Sequence, residues 1–156
     1  MIKEAYCSYE VSNLLKENGF DEPCSSTYDT AVSGGKPKFY KYDVLHFFPN
    51  GMKNSDDKYG MVISAPTHQM ACAWLREKYK LHITVDCIDV TEHGYVFTSK
   101  IVNMEYVRET KVEDYFYSFE DAVEDAIKYC LENLIWNEHI NHKRPIYVIL
   151  WKSVWW

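Results

Sequence analysis

The stretch from Ser64 to Cys87, SAPTHQMACAWLREKYKLHITVDC, restricts the fold more than any other, because a capped amphipathic helix runs directly into an alternating strand. Pro66 biases Ala65 away from helical angles, so a helix begins no earlier than Thr67, whose hydroxyl is placed to accept a free N–H of the first turn. Met70, Ala71, Trp74, Leu75 and the stem of Lys78 fall on one side, and Gln69, Arg76, Glu77 and Lys80 on the other. The period then drops to two. Leu81, Ile83, Val85 and Cys87 alternate with His82, Thr84 and Asp86, which predicts a strand with one wet face. A helix feeding a strand this directly lies across the sheet it joins. Trp74, a side chain of roughly 150–250 Å², is expected at the centre of the resulting core.

The flanking segments supply the rest of the layer. Ser8 is positioned to cap a short helix with Val11, Leu14 and Leu15 on its apolar side, ended at Gly19, with Phe20 folded back toward Leu15. Asp21 to Lys38, rich in Ser, Thr, Gly and Pro, reads as a loop. Phe39 to Phe48 and Tyr59 to Ile63 read as two strands of a hairpin. Beyond a turn at Thr91 to Gly94, Tyr95 to Val102 is the hairpin partner of His82 to Ile88, and a third strand is expected through Tyr106 or Tyr115. Ser118 opens a last helix whose stripe runs through Phe119, Ala122, Val123, Ala126, Ile127, Cys130, Leu131 and Leu134. Glu120, Asp121, Glu124 and Asp125 crowd its start, where the helix dipole favours carboxylates.

This order predicts an α+β fold. Helices pack on one face of an antiparallel sheet in a helix-strand-strand-(strand)-helix core, preceded by a short helix and a hairpin. The 156 residues are read as one domain with its core at about 60–136; 137–156 form a tail. In that tail, Pro145 introduces IYVILWKSVWW, either a last strand on a sheet edge or an apolar patch used in association through Trp151, Trp155 and Trp156.

Composition narrows the function. The order of elements is that of a double-stranded RNA-binding domain, but a net charge of −6 and a last helix that starts with four carboxylates argue against phosphate contacts. Thirteen tyrosines and five tryptophans give amphipathic rings suited to a half-exposed contact face. The five cysteines, Cys7, Cys24, Cys72, Cys87 and Cys130, are odd in number and form no CxxC pair, the usage of a reduced compartment; Cys87 and Cys130 sit in apolar stripes. No apolar signal region opens the sequence and no run approaches the ~20 residues that span a bilayer. A cytoplasmic location without membrane contact is the expectation.

Candidate chemistry is sparse. His139 and His142, three apart beside Glu138, are the metal candidates, although the order does not match HExxH. An exposed helix end with Lys143 and Arg144 is the ordinary explanation of them. His82 and Asp86 on one strand face lie ~13 Å apart, too far for one ion. Asp56 and Asp57 resemble a divalent-ion loop but lack the glutamate an EF-hand requires. Cys7 or Cys24 with His46 would make a thiol nucleophile only if the fold brought them together. No GxGxxG, P-loop or GxSxG occurs, and no cofactor is implied.

The segments YEVSNLLKENGFDEPC, SAPTHQMACAWLREKYKLHI and FEDAVEDAIKYCLENLI resemble those of small uncharacterised proteins encoded by phages, prophages and mobile elements of gut Bacteroides-type bacteria. The resemblance implies a context, an accessory protein acting in the host cytoplasm, and carries no catalytic residue. With the composition, it points to a non-enzymatic module that binds a host or phage protein, with homodimerisation through the tail as a further expectation. The alternatives are a metal-dependent hydrolase or nuclease, and nucleic-acid binding or DNA mimicry.

Overall fold

Helix ends in this chain are set by local chemistry. In the computed structural model, which describes residues 4–31, 36–41, 50–92, 94–105, 108–111 and 114–135, the Ser8 hydroxyl accepts from the Val11 N–H and starts α1 (Tyr9–Glu17). Gly19, at φ +82°, ends it. The Gly19 N–H donates to the Lys16 carbonyl and the Phe20 N–H to that of Leu15, two bonds that close a Schellman motif and turn Phe20 into the core. Thr67 caps α2 (His68–Tyr79) through the Met70 N–H, and Ser118 caps α3 (Phe119–Tyr129) through the Asp121 N–H.

Lys80 makes the change from helix to strand. It adopts left-handed angles, φ 57° and ψ 25°, and its N–H donates to the Leu75 carbonyl. A single residue therefore separates α2 from β4 (Leu81–Thr91), at a cost of about 1–2 kcal/mol for a side chain other than glycine. β4 pairs antiparallel with β5 (Gly94–Asn103), and β5 with β6 (Arg108–Lys111), in the order β4-β5-β6. The third strand thus lies between the two expected positions. Tyr106 falls outside the described residues, and Tyr115 is exposed beside an isolated bridge between Phe97 and Phe116.

One face of this sheet meets the helices. Leu81 and Ile101 are buried in one cluster with Val11 and Leu15 of α1, Ala71 and Leu75 of α2, and Val123, Ala126 and Ile127 of α3; Ile83 and Val85 pack at its edge. This is the α+β layer that the order of elements predicts. Trp74 is buried in the same cluster, with 8% exposure. Its ring stands edge-on to Phe20 and Tyr79, with centroids 5.5 and 5.2 Å away, and the Lys78 ammonium lies 4.9 Å above it. α3 continues into one π-helical turn, Cys130–Leu134. The wider turn moves the buried stripe on, so that Ile135 is fully buried while Leu134 is only partly so.

A second sheet has the order β2-β1-β3, built from β1 (Ser26–Asp29), β2 (Lys38–Lys41) and β3 (Val62–Ser64). Here the structure corrects the sequence reading. Among the described residues, the segments expected to form a hairpin do not pair with each other: β2 and β3 each pair with β1, which lies within the expected loop. The hairpin preceding the core is β1 with β2. β1 is central despite its polar sequence because its buried hydroxyls have partners, Ser26 Oγ donating to the Ala65 carbonyl at 2.9 Å. Residues 42–49 of the expected strand lie outside the described residues.

Candidate functional site

Three segments remote in sequence meet at Glu124. α3 presents its carboxylate to the starts of α1 and α2. Oε1 accepts from the Ser8 backbone N–H at 2.8 Å, and Oε2 lies 2.7 Å from His68 Nε2. Burial works against the charged carboxylate, but the hydrogen bonds from His68 and Ser8 outweigh it and hold the Glu124 carboxyl below its usual range. Cys7 completes the group: its sulfur, a His68 ring nitrogen and a Glu124 oxygen all lie within 4.8 Å of one another. The Cys7 backbone is fixed on both sides, its N–H donating to the Pro66 carbonyl and its carbonyl accepting from Tyr28 Oη, each at 2.9 Å.

Cysteine, histidine and glutamate are the residues of a thiol nucleophile with base and orienting acid, but this arrangement is not poised for that chemistry. Cys7 has no solvent exposure. Burial, and then the Glu124 charge, raise its thiol well above the ordinary range, so the sulfur is a neutral thiol rather than a reactive thiolate. A cleft of about 390 Å³ runs past His68 and Cys72 along Ile83, Val85, Phe119 and Val123. Burial pushes the Cys72 thiol to about 11.

The cleft opens at Phe119 onto an exposed aromatic surface. β4 and β5 are 11 and 10 residues long, or ~35 Å at ~3.3 Å per residue. β4 is buried or half-buried from Leu81 to Val85 and exposed from Asp86 onward, so its far end is left bare. There the Phe97 ring lies 6.1 Å from Phe119 and 6.3 Å from Tyr95, and Val90 stands opposite Tyr95 across the strand pair. Phe116 exchanges both backbone bonds with Phe97. Tyr95 is 60% and Phe119 49% exposed; Tyr115 and Tyr117, which flank Phe116 in sequence, are 70% and 75% exposed. Phe119, expected in the buried stripe, instead joins cleft and surface.

Other candidates resolve individually. Cys87 stays on the face of Ile83 and Val85, opposite Phe97, but is exposed there, just before a register shift between Cys87 and Asp89, whereas Cys130 is buried as expected. Asp86 pairs with Lys100 at 3.0 Å on the solvent side of β4. Asp56 and Asp57 spend their carboxylates on backbone N–H groups, of Lys53 at 3.0 Å and of Val62 at 2.7 Å, as turn residues do. His46, His139, His142, Trp151, Trp155 and Trp156 lie outside the described residues. Among the described residues, no helix is long and apolar enough to cross a membrane. His68 and Glu124 escaped the sequence reading because nothing in their spacing links them to each other or to Cys7. No family model, curated protein or solved structure matches the chain.

Proposed function

We propose that this chain is a non-enzymatic interaction module that binds another protein through the aromatic surface at the far end of β4–β5 and the start of α3. The observation that carries the reading is the run of ring contacts Tyr95–Phe97–Phe119, whose two ends are exposed, beside the cleft. Scattered exposed apolar residues are ordinary on any surface, whereas contiguous rings beside a cleft are the composition of an interface. Tyrosine and phenylalanine also lose little rotamer freedom on binding, which makes them efficient anchors. Glu120 and Asp121, which follow Phe119 at the start of α3, are exposed, so the partner presents a basic edge beside an apolar pocket or groove. A partner among host or phage proteins in the cytoplasm is in keeping with the resemblance to phage and mobile-element proteins.

Affinity capture from host lysate, with and without nuclease, tests this when the wild-type chain is run beside Tyr95→Asp/Phe119→Asp. A stoichiometric protein that survives nuclease and is lost from the variant supports the module. Recovery that depends on nucleic acid, or that is equal with the variant, overturns it.

A further inference from the structure

We propose that Cys7, His68 and Glu124 form a binding site for a borderline-soft divalent cation of the zinc class. Thiolate, imidazole and carboxylate are the three ligand types that zinc combines. Around a tetrahedral zinc, bonds of ~2.0–2.3 Å place neighbouring ligand atoms roughly 3.2–3.7 Å apart. Here the three atoms already lie within 4.8 Å of one another. The His68–Glu124 contact of 2.7 Å needs to open by only ~0.5 Å for a cation to replace the proton between the two groups.

The frame around the ligands is that of a built site. The Ser8 N–H holds Glu124 Oε1 at 2.8 Å, which leaves Oε2 facing His68 as a single donor atom. Such outer hydrogen bonds orient carboxylate ligands in metal centres. Cys7 is held through its own N–H and carbonyl, and His68 is the first residue of a capped helix. The ligands therefore come from the segment before α1, from α2 and from α3, and a bound cation would pin together the three elements that cover the sheet. Three protein ligands leave a fourth position for water or a small ligand. The structure also gives the His68 side chain a second environment, the cleft shared with Cys72 and Phe119.

The test uses the full chain purified without a histidine tag, dialysed against zinc chloride and analysed for metal, and in parallel loaded with cobalt(II) as a spectroscopic probe. The site predicts stoichiometric zinc, and a cobalt spectrum with the thiolate charge-transfer band and the intensity of a tetrahedral centre. Both are lost in Cys7→Ala and in His68→Gln, while His139→Ala/His142→Ala retains them. Absence of stoichiometric metal in the wild type, cobalt bound without a thiolate band, or metal that follows His139 and His142 would overturn the proposal. The wild-type spectrum decides even if a substitution at the buried cluster impairs folding.

Discussion

Glu124→Gln is the substitution that most directly probes how the three helices are joined. The carboxylate takes two charge-assisted contacts, from the Ser8 N–H at 2.8 Å and His68 Nε2 at 2.7 Å, and hydrogen bonds to a charged group contribute about 1.5–3 kcal/mol each. Glutamine keeps a neutral oxygen for Ser8 and loses the attraction to His68. The loss should be about 1–3 kcal/mol. With a urea slope of about 2 kcal/mol/M, the midpoint falls by roughly 0.5–1.5 M. The sign of the pH dependence follows from the lowered folded carboxyl. Its contribution is complete above the ordinary glutamate value of about 4.3 and disappears as pH falls through the lower folded value, so the gap between wild type and variant is constant at neutral pH and closes in acid. Urea titrations in the presence of a chelator, followed by circular dichroism at a series of pH values, measure this without interference from metal. A variant as stable as wild type at neutral pH, or a gap that persists in acid, refutes the clamp.

Thiol accessibility gives an independent check. Cys87 is exposed while Cys7, Cys24 and Cys130 are buried, so a thiol reagent mapped by mass spectrometry should modify Cys87 first and the buried three only on unfolding. Modification of Cys7 at the rate of Cys87 would contradict the packing described. Two glycines of positive φ separate strain from crowding: a Cβ on Gly60 meets nothing, whereas one on Gly51 falls 3.0 Å from the Cys24 backbone. Gly60→Ala should cost about 1 kcal/mol and Gly51→Ala clearly more in the same urea assay; equal losses would place the loop at Gly51 away from Cys24.

How much of this was legible in the sequence depends on the range of the interactions involved. Ser8, Thr67, Ser118 and Gly19 announce helix ends because a cap acts within one turn. The alternation of Leu81, Ile83 and Val85 announces β4 because burial on one face imposes a period of two. β1 was hidden because Ser26 and Thr27 are buried through hydrogen bonds rather than apolar side chains, a partnership with residues such as Ala65 that no local pattern records. Lys80 was hidden because left-handed angles usually signal glycine. Glu124 looked like one dipole-favoured acid among four; its role depends on Ser8, 116 residues away, and on His68, 56 residues away. The tyrosine content predicts half-exposed rings, but where they lie, beside the end of β4 that is exposed from Asp86 onward, is visible only once the strand ends are known.

The measurement closest to the central claim is amide hydrogen exchange on the free chain and on the complex recovered by capture. The account predicts slowed exchange at 86–97 and 114–119, the far ends of β4 and β5 and the approach to α3, with the β2-β1-β3 sheet unchanged. Protection confined to that second sheet, or none in either region, would contradict it.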